Sequence, residues 1–332
     1  MVRSRLRQRG VAVVTALLLT TLAISIVASL FWQQQVQVRS MENQRLQLQT
    51  QWILRGALDW ASLVLRQDAY TSQFTSLDQV WATPLAETRL DQYIERERIE
   101  GETFDASLSG NIVDATSRYN LANLAQNRER VKEQEAIFGR LLAQLRLDAR
   151  LAERVGIFVA QGQQAAQQAA QQDQQQQTQQ PTGQLPVPPG SGVPMPLLQV
   201  DDLLAVPGIT PEVLAKLRPF LVVLPSAPTP LNVNTVPPEL LAALVPGMSL
   251  SEANSLVARR KATPWHQLSF FKAQVGLAEN LPDQLASVKS NWFLVQSRIR
   301  LDRAALNAES LIERKEGVIG GGGTNVVWTR QN

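Results

Sequence analysis

The stretch that decides the fold is the N-terminal run RSRLRQRG (residues 3–10), followed by VAVVTALLLTTLAISIVASLFW (residues 11–32). From Val11 through Trp32 there is no charged residue and no histidine. At ~1.5 Å per residue this run forms a helix of about 33 Å, which matches a hydrocarbon core of roughly 30 Å. The sequence therefore predicts one membrane-spanning helix over residues 11–32.

The charges on either side of this span predict its orientation. Four arginines precede it, whereas the first charge that follows is Arg39. By the positive-inside rule the short N-terminus stays in the cytoplasm and residues 33–332 lie across the membrane. A cleaved secretory signal is the alternative, but its apolar core is usually only ~7 to 15 residues long.

The junction between the two runs resembles the leader of type IV pilins and pseudopilins. The basic segment ends in Gln8-Arg9-Gly10, and the apolar run starts directly afterwards. In that family a prepilin peptidase cuts after the glycine on the cytoplasmic face, and the apolar helix is kept for assembly. The resemblance implies that Arg9, Gly10 and Val11 form the processing site and that the mature chain begins at Val11.

Most pilins carry a glutamate five residues after the cut, and this sequence has Thr15 there. A carboxylate inside the bilayer costs on the order of 2.5 kcal/mol or more, so it persists only where it has a partner. In pilins the implied partner is the N-terminal amine of the neighbouring subunit already in the fibre. A subunit that never docks beneath another has no such amine, and in this respect the chain resembles minor pseudopilin K of type II secretion systems.

Composition restricts the possible functions. The chain has no cysteine, so it offers no disulfide framework, no thiolate metal site and no cysteine nucleophile. Its pI of about 9.4 suggests a nucleic-acid partner. However, the net charge of +3 includes four leader arginines, so the side chains of the cleaved form sum to 3 − 4 = −1. The basic character belongs to the leader, and we expect no nucleic-acid partner.

Helical patterning continues past the span to about Arg66. Leu54, Leu58, Ala61 and Leu65 recur at the spacing of one helix face. The alternative is two helices that break near Gly56, but a single glycine costs only ~1 kcal/mol within a helix. Beyond this rod the pattern predicts short helices at 76–82 and 86–98.

Strand patterns stand at two distant places in the chain. Residues 104–113 alternate apolar and polar side chains, and a turn follows over 114–118. Near the C-terminus, residues 292–301, 304–314 and 326–328 predict three strands with short links, which is typical of an antiparallel meander. The glycine run at 320–323 precedes a strand, so it predicts a hairpin connection, since a phosphate-binding loop would open a helix.

Two asparagine-rich phrases begin the region between these strands. We single out Asn120, Leu121, Asn123 and Leu124 in the first phrase and Asn232, Asn234 and Thr235 in the second. Asparagine caps helix N-termini, so the phrases predict the starts of two helical units. They also resemble pseudopilin K, in which a mostly helical insert of two SAM-like units interrupts the small sheet.

The second phrase leads to a competing hypothesis. Leu203–Ile209 and Leu241–Met248 each place a Pro-Gly turn before a polar cap and a helix, which is similar to the helix-hairpin-helix of membrane-anchored DNA-uptake proteins. The second glycine that lets backbone amides approach a phosphate is missing from both turns. Acidic and basic residues also balance over 200–262, and Arg259-Arg260-Lys261 matches a helix C-terminus.

Residues 161–196 form a glutamine- and alanine-rich tract followed by a proline- and glycine-rich tract. Such a composition buries too little apolar surface to offset chain entropy, so we expect a disordered loop. Residues 161–180 could alternatively extend the preceding helix.

No catalytic constellation is present in the sequence. His266 is the only histidine, and no Gly-x-Ser-x-Gly, Walker or His-Glu-x-x-His pattern occurs. We therefore expect no enzyme. The resemblance to pseudopilin K implies that structural calcium is possible, and acidic residues could supply ligands, but none has EF-hand spacing; these are Glu95, Glu97, Glu100, Glu102, Asp105 and Asp114.

Together these observations predict an α+β fold, in which a pilin-like long N-terminal helix packs on a small antiparallel sheet interrupted by a large, mostly helical insert. The predicted parts are a leader (1–10), a transmembrane helix (11–32), a first part of the body (33–118), the insert (119–285) and a second part of the body (286–332). The resemblance implies a single-pass protein of the bacterial inner membrane, with its bulk in the periplasm. It also implies assembly with minor pseudopilins I and J, other pseudopilins and the inner-membrane assembly platform, and capping of the pseudopilus tip during protein export.

Overall fold

The computed structural model describes residues 11–90, 105–178, 195–276, 281–315 and 323–331. Within these ranges the chain forms one very long helix, a five-stranded antiparallel sheet and a helical insert. This confirms the predicted fold class.

Helix α1, Val11–Thr71, is continuous over 61 residues and extends past the predicted end at Arg66. Gly56 does not break it, and no atom lies within 4 Å of the position that a Cβ would take there. One face is buried against the sheet, in a core of Leu54, Leu58, Ala61, Leu65, Trp81, Ile112, Phe293, Val295, Ile299, Ala308 and Ile312. At ~1.5 Å per residue the helix is about 90 Å long, so most of it extends beyond the body.

The sheet is a meander whose spatial order follows the chain. Its strands are β1 (Leu85–Arg89), β2 (Ala106–Asp114), β3 (Trp292–Leu301), β4 (Ala304–Arg314) and β5 (Thr324–Gln331). Each strand pairs antiparallel with the next. The pairing of β2 with β3 joins segments that are almost 180 residues apart, with the insert between them.

The predicted helix at 86–98 is wrong where the structure describes it. Leu85–Arg89 is instead an edge strand that pairs with β2 through Leu85↔Gly110 and Thr88↔Leu108; residues 91–98 lie outside the described part of the chain. The sequence LAETR has helix-forming residues and no clear alternation, and pairing with a formed strand overrides that propensity. The helix predicted at 76–82 is only a 3₁₀ turn, Val80–Ala82, that places Trp81 edge-on against Phe293.

The insert contains two helical units. In each unit a short strand near the start pairs in parallel with a short strand near the end. Tyr119 and Asn120 pair with Leu221 and Val222 in the first unit. Leu231 and Asn232 pair with Ala286 and Ser287 in the second. The first unit contains α2 (Lys132–Gln144), α3 (Leu151–Thr178), α4 (Pro211–Leu217) and a small hairpin at 125–130. The second contains α5 (Pro238–Leu244), α6 (Leu250–Ala262) and α7 (Leu268–Gln274).

Helix α3 differs from the disordered loop predicted over 161–196. It continues through Thr178, well into the glutamine-rich tract. This agrees with the alternative prediction, in which residues 161–180 extend the preceding helix. Glutamine and alanine are good helix formers, and the preceding apolar turns, with Val155 and Val159 buried, provide the anchor from which the helix continues. Residues 179–194 lie outside the described part.

The Pro-Gly turns adopt the predicted helix–turn–helix form. Gly208 and Gly247 have positive φ values of 96° and 79°, a conformation that favours glycine. Thr210 caps α4, and Ser249 caps α6 in a capping box with Glu252. A 3₁₀ turn, Val200–Ala205, precedes the first turn, and α5 precedes the second.

Candidate functional site

Two of the predicted processing residues, Arg9 and Gly10, lie outside the described part of the chain, and α1 begins at Val11. Thr15 is exposed on α1, and its hydroxyl donates a hydrogen bond to the carbonyl oxygen of Ala12 at 3.0 Å. This bond engages the hydroxyl within its own helix, so the position adds polarity at low cost and no charge.

Helix α1 is long and apolar enough to cross a membrane, and its most apolar window, near the N-terminus, is entirely unburied. A core helix of a soluble protein can pass the same length and composition test, but its apolar residues would be covered by protein. The exposed apolar surface of this segment therefore suits it to lipid or to neighbouring apolar helices.

Beyond the span, α1 carries a second apolar stripe on the side opposite the sheet. It consists of Met41, Leu48, Trp52, Leu63 and Tyr70, all of them exposed. At about 100° per residue these side chains lie within roughly 40° of one line, whereas the buried Leu54, Ala61 and Leu65 lie on the far side. Trp52 is 66% exposed and Leu63 is 56% exposed. The exposed charged residues Arg45, Asp59 and Arg66 lie on the same side of the helix, between these apolar side chains. A helix face with several large exposed apolar residues is a candidate interaction surface.

A buried carboxylate, Asp114, holds the body to the insert. It ends β2 and is only 1% exposed. Its Oδ1 accepts hydrogen bonds from the amide and the hydroxyl of Thr116, at 2.8 and 2.7 Å. Its Oδ2 accepts from Asn232, Thr235 and Ser290 at 2.9, 2.6 and 2.5 Å. Five donors from three parts of the chain therefore meet on one side chain, which satisfies its charge away from water.

The second asparagine phrase therefore does more than cap. Asn232 accepts from the amide of Asn234 at 3.0 Å, a local turn bond, but its Nδ2 also donates to Asp114 and to the carbonyl oxygen of Thr75, at 2.9 and 3.0 Å. Thr235 donates its hydroxyl to Asp114. Two of the three residues singled out in this phrase thus lie in the junction between insert and body.

Arg314 extends this junction to the end of α1. Its guanidinium donates to Asp68 at 2.8 Å and to Thr75 at 2.9 Å, and it also reaches the carbonyl of Ser290 at 2.8 Å. It lies 4.7 Å from the ring centre of Phe293. Burial raises the pKa of Asp68, while the guanidinium of Arg314 opposes that shift. We call the set of Asp68, Thr75, Asp114, Asn232, Thr235, Ser290 and Arg314 the junction cluster.

The remaining residues of the two phrases make contacts within their own helical unit. Asn123 exchanges two hydrogen bonds with the backbone of Thr229, at 2.8 and 2.9 Å, and Asn120 accepts from the amide of Leu224. In the second unit Asn234 exchanges the equivalent pair of bonds with the backbone of Trp265. Leu121 and Leu124 are fully buried in the core of the insert. Each asparagine therefore fixes a loop more than 30 residues away.

Sequence reasoning missed four members of the junction cluster, namely Asp68, Thr75, Ser290 and Arg314. For Arg314 a signal existed, because it follows Ile312 by two residues and so faces the apolar side of β4. A charged residue on that side needs a buried partner. Ser290 lies between strands with no local pattern that marks it.

One of the basic residues that the helix-hairpin-helix interpretation would use to bind DNA is buried in the protein core. Arg260 is buried, and its guanidinium donates to the carbonyl oxygens of Val233 and Val236 at 2.6 and 2.5 Å. Burial lowers the pKa of Arg260 to about 10. This arginine is therefore engaged by backbone and unavailable to a phosphate.

The described ranges of the chain place few side chains together where they could act as calcium ligands. In residues 11–90, 105–178, 195–276, 281–315 and 323–331, no three acidic or histidine side chains are placed to share a metal ion. Asp114, one of the suggested ligands, already accepts five protein donors. Glu95, Glu97, Glu100 and Glu102 lie outside these ranges.

Comparisons with known proteins agree on one family. Two models described as type II secretion system (T2SS), protein K match residues 117–226 and 231–289, which together are more than half of the chain. Proteins named type II secretion system protein K are similar along nearly their whole length. The one from Pectobacterium carotovorum subsp. carotovorum is 24% identical, covering 93% of both chains, and the one from Pseudomonas aeruginosa is 27% identical, covering 94% of this chain and 91% of the relative.

A solved structure, the crystal structure of the GspK-GspI-GspJ complex from the enterotoxigenic Escherichia coli type 2 secretion system, contains a chain with the same fold. The match has a TM-score of 0.62 at 21% identity, and it covers 89% of this chain and 99% of that one.

Proposed function

Since the chain belongs to the type II secretion system protein K family, we propose that this minor pseudopilin assembles with minor pseudopilins I and J and caps the periplasmic tip of the pseudopilus during protein export. The chain with the same fold was solved in a complex with GspI and GspJ, which supports the choice of partners.

The observation that carries this proposal is the second apolar stripe of α1. One face of the helix is already buried by the sheet, whereas Trp52 and Leu63 on the opposite face are exposed. The guanidinium of Arg55 lies 5.3 Å from the ring centre of Trp52, on the same helix, and leaves most of that ring open to a neighbouring subunit. Gly56 lies on the same line, with open space where its side chain would be. A helix face with large exposed apolar side chains and a small residue between them suits close packing against the helices of neighbouring subunits.

Two features support a terminal place in the fibre. The insert interrupts the sheet between β2 and β3 and has a hydrophobic core of its own. It adds bulk to the subunit, and successive turns of a narrow fibre would not easily bury that bulk. Thr15 leaves the span without the carboxylate that would neutralise the amine of a subunit above it. Both features fit a subunit with nothing above it.

The domain assignment, the location and the processing belong to the same proposal. Cleavage after Gly10 by prepilin peptidase would remove residues 1–10, and the span 11–32 would keep the chain in the inner membrane with its bulk periplasmic. Residues 33–118 and 286–332 form the body and residues 119–285 the insert. Contacts with other pseudopilins and with the inner-membrane assembly platform follow from this role, which requires neither nucleic acid nor catalysis.

The experiment is co-purification of the complete chain in detergent with pseudopilins I and J of the same organism. We expect a stable complex that contains all three proteins in equal numbers, measured by native mass spectrometry. Failure to form any complex of the three, while the chain itself remains folded, would contradict the proposal.

A further inference from the structure

A polar cleft of about 840 Å³ lies between the sheet and the first helical unit. Its floor is the sheet face that α1 does not cover, because the floor residues alternate with Val295, Ile299 and Ala308, which pack under α1. Its wall comes from the segments around Arg118, Gln199–Asp201 and Arg218–Pro219. The volume lies within the range of binding clefts.

The strand register arranges the floor in two rows. Asn111, Gln296, Glu309 and Arg330 are direct partners across β2, β3, β4 and β5, and Ser109, Arg298 and Asn307 form the next row. Directly paired residues share one face of a sheet, so each row points into the cleft. Three strand spacings of ~4.8 Å make the longer row about 14 Å wide, which is the length of roughly four residues of extended peptide.

The cleft carries an excess of positive charge. Its lining includes the arginines Arg118, Arg218, Arg298 and Arg330 and the carboxylates Asp201 and Glu309. Asp201 is engaged by Arg218 in an ion pair, with a second contact at 3.2 Å. Glu309 accepts a hydrogen bond from Gln296 at 3.3 Å. The charged side chains of the lining therefore sum to +2.

Two of these arginines are available to an incoming anion. Within the described part of the chain, the guanidinium groups of Arg118 and Arg298 donate to no protein acceptor. Burial lowers the pKa of Arg118, and the nearby carboxylate of Glu309 opposes that shift. A half-buried arginine without a hydrogen-bonded partner is unfavourable, so a carboxylate that entered the cleft would relieve it.

Carboxamides make up much of the remaining polar lining, namely Asn111, Gln199, Gln296 and Asn307. Each offers both a donor and an acceptor, which is what the amide and carbonyl groups of an extended peptide require. A mobile counterion would need only the arginines, whereas the combination of arginines and carboxamides over about four residues of length suits a polypeptide.

We infer that this cleft binds an extended, acidic segment of another protein, with its carboxylates on Arg118 and Arg298 and its backbone along the carboxamides. The inference rests on the cleft alone and does not depend on a place at the tip of a fibre. The segment alternates acidic and other residues, because alternation places all carboxylates of an extended chain on the side that faces the floor.

The test uses the complete chain in detergent and a fluorescein-labelled octapeptide of alternating glutamate and serine, with binding followed by fluorescence anisotropy. A labelled octapeptide of alternating glutamine and serine is the uncharged comparison. We expect the acidic peptide to bind at least about tenfold more tightly than the uncharged one, and more weakly as salt is added.

The decisive variants are R298E and R300E. Both arginines are exposed on the same face of β3, two residues apart, but only Arg298 lines the cleft, while Arg300 faces Glu87 at 3.7 Å. We expect R298E to weaken acidic-peptide binding at least about tenfold and R300E to change it less than about twofold. Unchanged far-UV circular dichroism confirms that both variants are folded.

Three results of the peptide-binding experiments would overturn the inference. These are an absence of saturable binding by the acidic peptide, equal binding of the two peptides, and equal effects of R298E and R300E. Concentration-dependent dimerisation that R298E abolishes would also overturn it, since the occupant would then be a second copy of this chain.

Discussion

At the residue scale, Asp114 is the side chain on which body and insert meet. It is buried, and its two oxygens accept hydrogen bonds from Thr116, Asn232, Thr235 and Ser290. In Asp114→Asn one oxygen becomes an NH₂ group. This group is itself a donor, so the neighbouring N–H or O–H groups that donate to that oxygen lose their acceptor. Leaving several buried donors unsatisfied costs on the order of 3 kcal/mol, so we expect the melting temperature to fall by about 6 to 12 °C.

Asp105→Asn is the matched control, because Asp105 is exposed and immediately precedes the same strand. Its substitution should change stability by less than about 0.5 kcal/mol. Thermal unfolding of the complete chain in detergent measures both variants. Equal melting temperatures for the two would mean that Asp114 does not hold the junction.

A second residue-scale prediction concerns Glu135 on α2. Its Oε1 is buried without a hydrogen bond, 3.6 Å from a guanidinium nitrogen of Arg130. Burial raises the pKa of Glu135 above its ordinary value of 4.5, while Arg130 opposes that shift. Since the folded state holds the proton more tightly than the unfolded state, the contribution of Glu135 to stability is present below pH 4.5 and is lost as the pH rises through the raised value.

The measurement is the difference in unfolding free energy between the unsubstituted chain and Glu135→Gln as a function of pH. We expect this difference to move in favour of the glutamine variant as the pH rises above about 4.5, by at most ~1.4 kcal/mol per unit of pKa shift. Glu133→Gln removes one negative charge from an exposed position of the same helix and controls for net charge. A difference that stays constant with pH would refute the prediction.

How much of the site could be predicted is clearest from the asparagines. The local bonds of Asn120 and Asn232 to amides two residues ahead are those that a cap or turn predicts. Their distant partners, Leu224 for Asn120 and Asp114 for Asn232, are more than 100 residues away in the chain. No local pattern determines such pairs, because they depend on how the sheet and the units pack.

At the element scale, α1 has two apolar faces with different uses. The face with Leu58 and Leu65 stabilises the body, whereas the face with Trp52 and Leu63 is exposed. Leu63→Ser should leave the fold intact and remove about 2 kcal/mol of apolar burial from the contact with pseudopilins I and J, which corresponds to roughly thirtyfold weaker assembly.

Leu77→Ser is the control for this substitution, because Leu77 is exposed to a similar degree, 53% against 56%, but lies beyond the end of α1. Titration of the three-protein complex by analytical ultracentrifugation compares the two variants. If Leu63→Ser assembled as tightly as Leu77→Ser, the stripe would not be the contact surface.

Elements with a strong periodic pattern were predictable, and elements that depend on a neighbour were not. The rod of α1 and the strands β3 and β4 repeat their apolar residues over many turns or pleats. By contrast, β1 is an edge strand of five residues whose extended form depends on its register with β2. Helix α3 extends its anchored first turns into a tract whose composition alone suggests disorder.

At the scale of the whole molecule, a small meander is interrupted between its second and third strands by two helical units, and the junction cluster ties these parts together. Asp68 and Thr75 come from the end of α1 and the loop after it, Asp114 and Arg314 from the sheet, and Asn232 from the insert. The insert is therefore held to the end of the long helix that is farthest from the predicted membrane span. This arrangement supports the proposed place of the chain at the end of the fibre.

The place of the chain within the fibre is the central claim, and site-specific labelling tests it most directly. The sequence contains no cysteine, so Ser251→Cys on the exposed side of α6 provides a single site for maleimide nanogold. Electron microscopy of pseudopili assembled with this variant, beside fibres of the cysteine-free chain, gives the position of the label. We expect gold at one end of each pseudopilus and none along its length, whereas gold at repeated intervals along the fibre would contradict the account.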